Sequence, residues 1–374
     1  MDFLMLASLG GVLSYIGYIL LAILILLIMI TVHEFGHYIA GKIFKFGIDE
    51  FSIGFGPKLF SRKSKKSGEV FSVRALPVGG FCAFKGEDED SDDPSAFNNK
   101  KPWQRIIVLV SGALMNYLLA LLVITLMFGI YGQSALMTYK TSTSTEFESE
   151  YCLQDRDVLL NVNDKSVYLT TDLMDAISGK EKGEIIPVTV RRAGENVKVN
   201  IKLRTDTHFE NLEDVKKLYD ALGIHYQLDD NNQMIDVGLY STGVKHGFFK
   251  TLGMSFEYSF KLAGTIFTVL GQLITGALGI NSLGGTVTTI SVTANAIRVG
   301  GLRYFLNMMS FIGVNLAVFN LLPIPALDGA RVVFTAIEWV RKKPLSRRVE
   351  GIIHAVGLVS LLLFSVLVDL QWCF

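Results

Sequence analysis

The sequence predicts a polytopic α-helical membrane protein of about four transmembrane helices, carrying a membrane-associated β-hairpin and an inserted α+β domain. Three observations predict it. Half of the 374 residues are hydrophobic and only 19% are charged, a balance foreign to an average soluble domain. Four apolar stretches have the ~17–25 residues needed to cross a bilayer. The polar residues gather between those stretches, chiefly in 132–246. Lys+Arg and Asp+Glu both total 35, so no global basic field exists to hold nucleic acid and no such partner is expected. Three widely spaced cysteines, Cys82, Cys152 and Cys373, lack the paired spacing of a thiolate metal site or a disulfide framework.

The elements follow in order. Between Asp2 and His33, 30 residues carry no formal charge, which makes the first span. A cleaved signal peptide would begin with basic residues, but no Lys or Arg precedes Lys42, so the span is read as retained. Residues 48–59 and 70–84, rich in Phe, Ile and Val around a polar 61–68 turn, read as the hairpin. Residues 106–131 form the second span and close an N-terminal membrane core, 1–131. The polar region 132–246 reads as a water-exposed domain, with 211–227 as a separate helix. A C-terminal membrane core, 247–374, begins with an apolar stretch, 248–280, interrupted by Lys250, Glu257 and Lys261, hence amphipathic and interfacial at first. Cleaner spans follow at 305–324 and 352–368. Basic residues between spans one and two (Lys58, Arg62, Lys63, Lys65, Lys66) and between three and four (Arg341, Lys342, Lys343, Arg347, Arg348) place both loops in the cytoplasm and 132–246 outside.

His33-Glu34-Phe35-Gly36-His37 sits where the first apolar run ends. Residues four apart share a helix face, so both imidazoles can reach one cation, while Glu34, about 100° around, can reach a water beside it. Such groups at the edge of a hydrocarbon span are costly and usually functional. Zinc is the expected ion, and a catalytic zinc takes three protein ligands. Asp328 is a candidate third, beside a break made by Pro323 and Pro325; capping the helix that follows is its other possible task. Asn320 offers an amide to a developing oxyanion or to a neighbouring span. His208, His225 and His246 belong to the polar domain or its edge, and His354 stands alone, so no second set of buried ligands marks a transport path.

His33-Glu34-x-x-His37 with Asn320-x-x-Pro323-x-Pro325-x-Leu327-Asp328-Gly329 resembles the site-2 protease family of intramembrane zinc metalloproteases, most of all its bacterial regulator-of-sigma-E protease branch. Phe51-Ser52-Ile53-Gly54-Phe55-Gly56-Pro57, Leu76-Pro77-Val78-Gly79-Gly80-Phe81 and Phe97-x-x-Lys100-x-Pro102-Trp103-x-Arg105 fit that branch in the same order, so the likeness covers nearly the whole chain. The resemblance implies that His33, His37 and Asp328 bind zinc, that Glu34 is the base and that Asn320 assists near the scissile carbonyl. It implies a cut inside the transmembrane segment of single-span substrates, such as anti-sigma factors or remnant signal peptides, at the cytoplasmic side of the bacterial inner membrane. The hairpin, with Gly54, Phe55 and Gly56, would hold the unwound substrate as an added strand.

Residues 147–204 resemble a PDZ domain, with Arg156-Asp157 where that family has Gly-Asp and Glu150-Tyr151-Cys152-Leu153 in place of its small-residue stretch. Peptide binding and a steric filter are both open for this module. In the second span Ser111-Gly112-Ala113 replaces the family's Ala-Gly-Pro. The competing reading is a catalytically idle scaffold that binds partners through the PDZ-like domain; the complete set His33, Glu34, His37 and Asp328 counts against it.

Overall fold

The computed structural model describes residues 9–87, 91–139, 141, 153–209, 214–228, 234–279, 283–343 and 346–371. The chain opens with α1 (Leu9–Ile43), β1 (Ile48–Lys63), β2 (Val70–Phe84), a short 3₁₀ turn (Phe97–Asn99) and α2 (Pro102–Tyr131). It continues with β3 (Gln133–Thr138), β4 (Val158–Val162), β5 (Lys165–Ser166), α3 (Thr170–Ile177), β6 (Ile185–Arg192) and β7 (Glu195–Lys202). Then come α4 (Val215–Leu222), β8 (Tyr226–Leu228), β9 (Met234–Val237) and β10 (Leu239–Val244). It closes with α5 (Phe248–Thr275), α6 (Thr286–Leu321), α7 (Asp328–Arg341) and α8 (Arg347–Gln371). The chain divides into two compact units: Thr125–Tyr258, and the residues on either side of it.

The flanking unit holds most of the apolar helical residues, and α2 ends within the other unit. Among the described residues four are long and apolar enough to cross a membrane: Gly11–Ile43, Pro102–Tyr131, Thr286–Leu321 and Arg348–Gln371. Pro102 stands at the first helical position of α2, where its missing N–H costs nothing. Glycine lets the helices approach: a Cβ on Gly36 of α1 would run into the Ser111 backbone of α2, and one on Gly313 of α6 would stand 3.0 Å from Ala120 Cβ and 3.2 Å from Met29 Sδ. Such small-residue contacts replace the hydrophobic drive that helices lack in lipid. Around them Ile25 and Met29, Val123, and Ile297, Met309 and Ile312 form one buried cluster.

Three assignments shift. The third span, expected at 305–324, lies in the later part of a helical run, Thr286–Leu321, which a break at Gly301 (φ 58°, ψ −141°) divides into two helices. Pro323 and Pro325 stop it early, and the Thr- and Asn-containing start of the run escaped hydropathy. Of 211–227, residues 211–213 lie outside the described residues, and among the rest the helix is Val215–Leu222, ending where Gly223 turns left-handed (φ 69°) before Tyr226 enters a strand. The hairpin is more folded than a simple ribbon. Residues 48–53 pair antiparallel with 80–84, 58–63 pair antiparallel with 70–74, and Glu50–Ile53 also lie in step beside Val70–Val73. Each strand therefore bends on itself, at 54–57 and 75–79.

The Thr125–Tyr258 unit is built on a sheet of order β10-β3-β4-β6-β7, with β5 on β4. Leu159, Val188, Val190 and Ile201 pack with Leu173 and Ile177 of α3 and Leu218 and Leu222 of α4. Of the residues 147–204 assigned above, 147–152, including Glu150, Tyr151 and Cys152, lie outside the described residues. Arg156 takes the left-handed conformation (φ 69°) that glycine adopts without cost. Buried Asp157 receives a two-pronged bond from Arg192, Nε to Oδ1 at 2.7 Å and a terminal nitrogen to Oδ2 at 2.6 Å.

Candidate active site

α1 is 35 residues long, ~52 Å at 1.5 Å per residue, and His33 and His37 face inward from its last third. His33 Nε2 lies 3.1 Å from His37 Nε2, and Asp328 Oδ2 lies 2.9 Å from the first and 3.2 Å from the second. α2 shapes the other wall. Its Val108 carbonyl sits 2.8 Å from His37 Nδ1. A Cβ on Gly112 would press on the His37 ring and stand 2.8 Å from His33 Cε1, so only glycine leaves both imidazoles their places.

Asp328 arrives on the break between α6 and α7. The N–H groups of this break are accounted for: Leu322 N–H donates to Phe319 O (3.0 Å), Ile324 N–H to Leu322 O (2.7 Å) and Leu327 N–H to Ile324 O (3.1 Å). Pro323 and Pro325 have no N–H, and Ala326, at φ 81°, donates to His354 Nδ1 at 3.0 Å. The N-cap of α7 is Leu327, which makes no side-chain cap bond, and the Asp328 carboxylate turns to the imidazoles.

The tautomers show what this cluster needs. Val108 O can only accept, so His37 Nδ1 carries the proton and its Nε2 presents a lone pair. Asp328 Oδ2 is buried and receives no hydrogen bond, although two ring nitrogens stand within 3.2 Å. Lone pairs converging at such distances call for a cation. Zinc fits: bonds of ~2.0–2.1 Å in a tetrahedron put ligand atoms ~3.3–3.4 Å apart, close to the 2.9–3.2 Å observed. Two imidazoles and one carboxylate leave the fourth position open, the pattern of catalytic zinc.

Glu34 is half-buried and stands off the face shared by the histidines. Its Cγ lies 3.4 Å from where a Gly80 Cβ would be, so the 80–84 run of β2 passes beside it. Gly54 and Gly56 (both φ 84°) form the bend of β1. The backbone that Gly54 admits is the hairpin's own: a Cβ there would stand 2.6 Å from Leu76 O. Phe55 is 45% exposed and stacks on Phe81 at 6.2 Å. At the hairpin base, burial pushes Glu50 up, but bonds from Ser72 (2.6 Å), Lys58 (2.9 Å) and Arg74 (2.9 Å) hold its carboxyl down at about 2. Asn320 places its amide 3.5 Å from His33 Nδ1. Val108 escaped the sequence reading, and Gly80 and Gly112 entered it only as members of recognisable motifs, without a role at the metal site. His354 does not stand alone.

The model of peptidase family M50 matches residues 21–364. The chain belongs to peptidase family M50. It is 30% identical over 356 residues to a candidate zinc metalloprotease of Clostridium acetobutylicum, covering 94% of this chain and 96% of that one. A second from Clostridium perfringens is 31% identical, covering 95% and 98%. Zinc metalloprotease RasP of Bacillus licheniformis is 26% identical, covering 94% and 98%. This M50 peptidase is a zinc metalloprotease and a multi-pass membrane protein.

Proposed function

We propose that this M50 protease hydrolyses peptide bonds within transmembrane segments of single-span membrane proteins, with His33, His37 and Asp328 as its zinc ligands. The observation that carries the reading is the convergence of three donor atoms within 3.2 Å at one end of a candidate span, beside a half-buried glutamate. Zinc, when bound, supplies a Lewis acid for the carbonyl and brings the pKa of water down to ~7. Glu34 takes the proton of the attacking water and hands it to the leaving amide nitrogen. With its carbonyl turned to His33 Nδ1–H, Asn320 orients that ring and has its NH₂ left to donate to the developing oxyanion. Which way the amide faces is an assignment that this proton map requires.

A helical substrate hides its carbonyls, so it must unwind before the cut. The bent hairpin offers Phe55 and the Gly54–Gly56 bend as the holding surface, membrane-associated beside Glu34. The basic loops put the site at the cytoplasmic side of the bacterial inner membrane, with the sheet unit outside acting as a PDZ-like module. The test is a pair of variants of the purified protein. Glu34→Gln should keep zinc and lose at least ~10²-fold in cleavage, and Asp328→Ala should lose zinc. Wild-type cleavage by Glu34→Gln, or full zinc content in Asp328→Ala, would refute these roles.

A further inference from the structure

His354, on the last span, reaches both sides of Asp328. Its Nδ1 accepts the Ala326 N–H at 3.0 Å, and its ring meets Phe334 of α7 edge-on, centroids 5.6 Å apart at 87°. One turn further along α8 is Gly357, where a Cβ would stand 2.6 Å from Pro325 O and 2.7 Å from its carbonyl carbon. Two residues of one helix face therefore grip two consecutive residues of the break. Of the loop N–H groups accounted for above, Ala326 alone is satisfied from another element. Ala326 is also the strained residue, since a left-handed alanine persists only where its surroundings over-determine it.

We propose that His354, seated with Gly357, is a positioning residue: it latches the 322–327 loop in its left-handed form and thereby fixes Asp328 against the two imidazoles. This rests on the reading of Asp328 as a zinc ligand. A cavity of about 320 Å³, lined by His354, Gly351, Arg331, Thr335 and Asn98 among others, lies at the latch. Water there can take over the Ala326 N–H when the imidazole is removed. Loss of His354 then loosens the loop and leaves the fold intact.

The test uses the full-length protein in detergent, reading the zinc dissociation constant by chelator competition and the visible absorption of the Co²⁺-loaded protein. His354→Leu should weaken zinc binding about tenfold, as loss of groups that orient ligands commonly does, and should shift the Co²⁺ bands. His354→Asn, whose carboxamide oxygen stands near the Nδ1 position, should stay within about twofold of wild type, well short of that loss. Adding Ala326→Gly to His354→Leu should restore most of the affinity, because glycine takes φ 81° without a Cβ penalty. Gly357→Ala should reproduce the Co²⁺ shift with His354 in place. Asp328→Ala, measured alongside, separates the two readings: zinc retained there sinks the ligand assignment and the latch with it. Zinc lost in Asp328→Ala but bound normally by His354→Leu overturns the latch alone. So does an equal loss in His354→Leu and His354→Asn that Ala326→Gly leaves uncorrected.

Discussion

Adding one methyl group at Gly112 should impair the metal site without harming the fold. The new Cβ would sit within contact of the His37 ring and 2.8 Å from His33 Cε1. Parting the helices to make room would give up the close Gly36–Ser111 contact one residue away. The rings must therefore rotate, and ~30° off a rotamer costs ~0.5–1.5 kcal/mol for each. Two rings give ~1–3 kcal/mol, in line with other overpacked sites, or roughly 5- to 150-fold in zinc affinity. Alanine is meanwhile the better helix former by ~1 kcal/mol, so thermal stability of the apoprotein should hold or rise while zinc binding falls. Gly129→Ala, on the same helix with open space around it, is the control. Chelator competition on both variants decides the matter. Wild-type zinc affinity in Gly112→Ala would show that the two imidazoles are not held where the ligand reading needs them.

Cysteines placed at Ser64 and Ser346 should react with impermeant maleimide only from the cytoplasmic side, and one at Gly194 only from outside; labelling of Ser64 from outside would invert the topology. Arg156→Gly should slow hydrogen exchange over 157–162 by about fivefold, by removing a left-handed penalty of ~1–2 kcal/mol offset in part by chain entropy; faster exchange would refute the strain. Glu50 has its folded value depressed to about 2 against ~4.3 in an unfolded chain. Its stabilisation of the hairpin is therefore complete above pH ~5 and lost as pH falls through about 2. Hairpin protection corrected for intrinsic exchange should be flat from pH 8 to 5, and a loss inside that window would point to another group.

Much of this molecule is local and therefore legible. The aliphatic run of α1, the H-E-x-x-H spacing, the prolines at 323 and 325 and the hairpin limits are carried by neighbouring residues. What escaped is non-local. β3 and β10 pair Gln133 with Val244, across more than a hundred residues, and no periodicity announces such a partner. The double bend of the hairpin depends on Gly54, Gly56 and Gly79 taking positive φ, a choice that glycine leaves open in the sequence. The helical turns before the Gly301 break escaped because Arg298, Asn295 and several Thr residues dilute their apolar character. His354 looked isolated because its partner is a backbone N–H 28 positions away, and sequence patterns do not record which backbone groups lack a local mate.

The central claim is that the chain cuts inside a membrane-spanning segment, and fragment mass measures it most directly. The protein is reconstituted in vesicles with a single-span substrate, and the products are weighed by mass spectrometry. New termini should fall within the apolar segment of the substrate, toward its cytoplasmic end, and vanish with Glu34→Gln. Termini confined to the loops outside the membrane, or the same fragments from Glu34→Gln, would contradict the account.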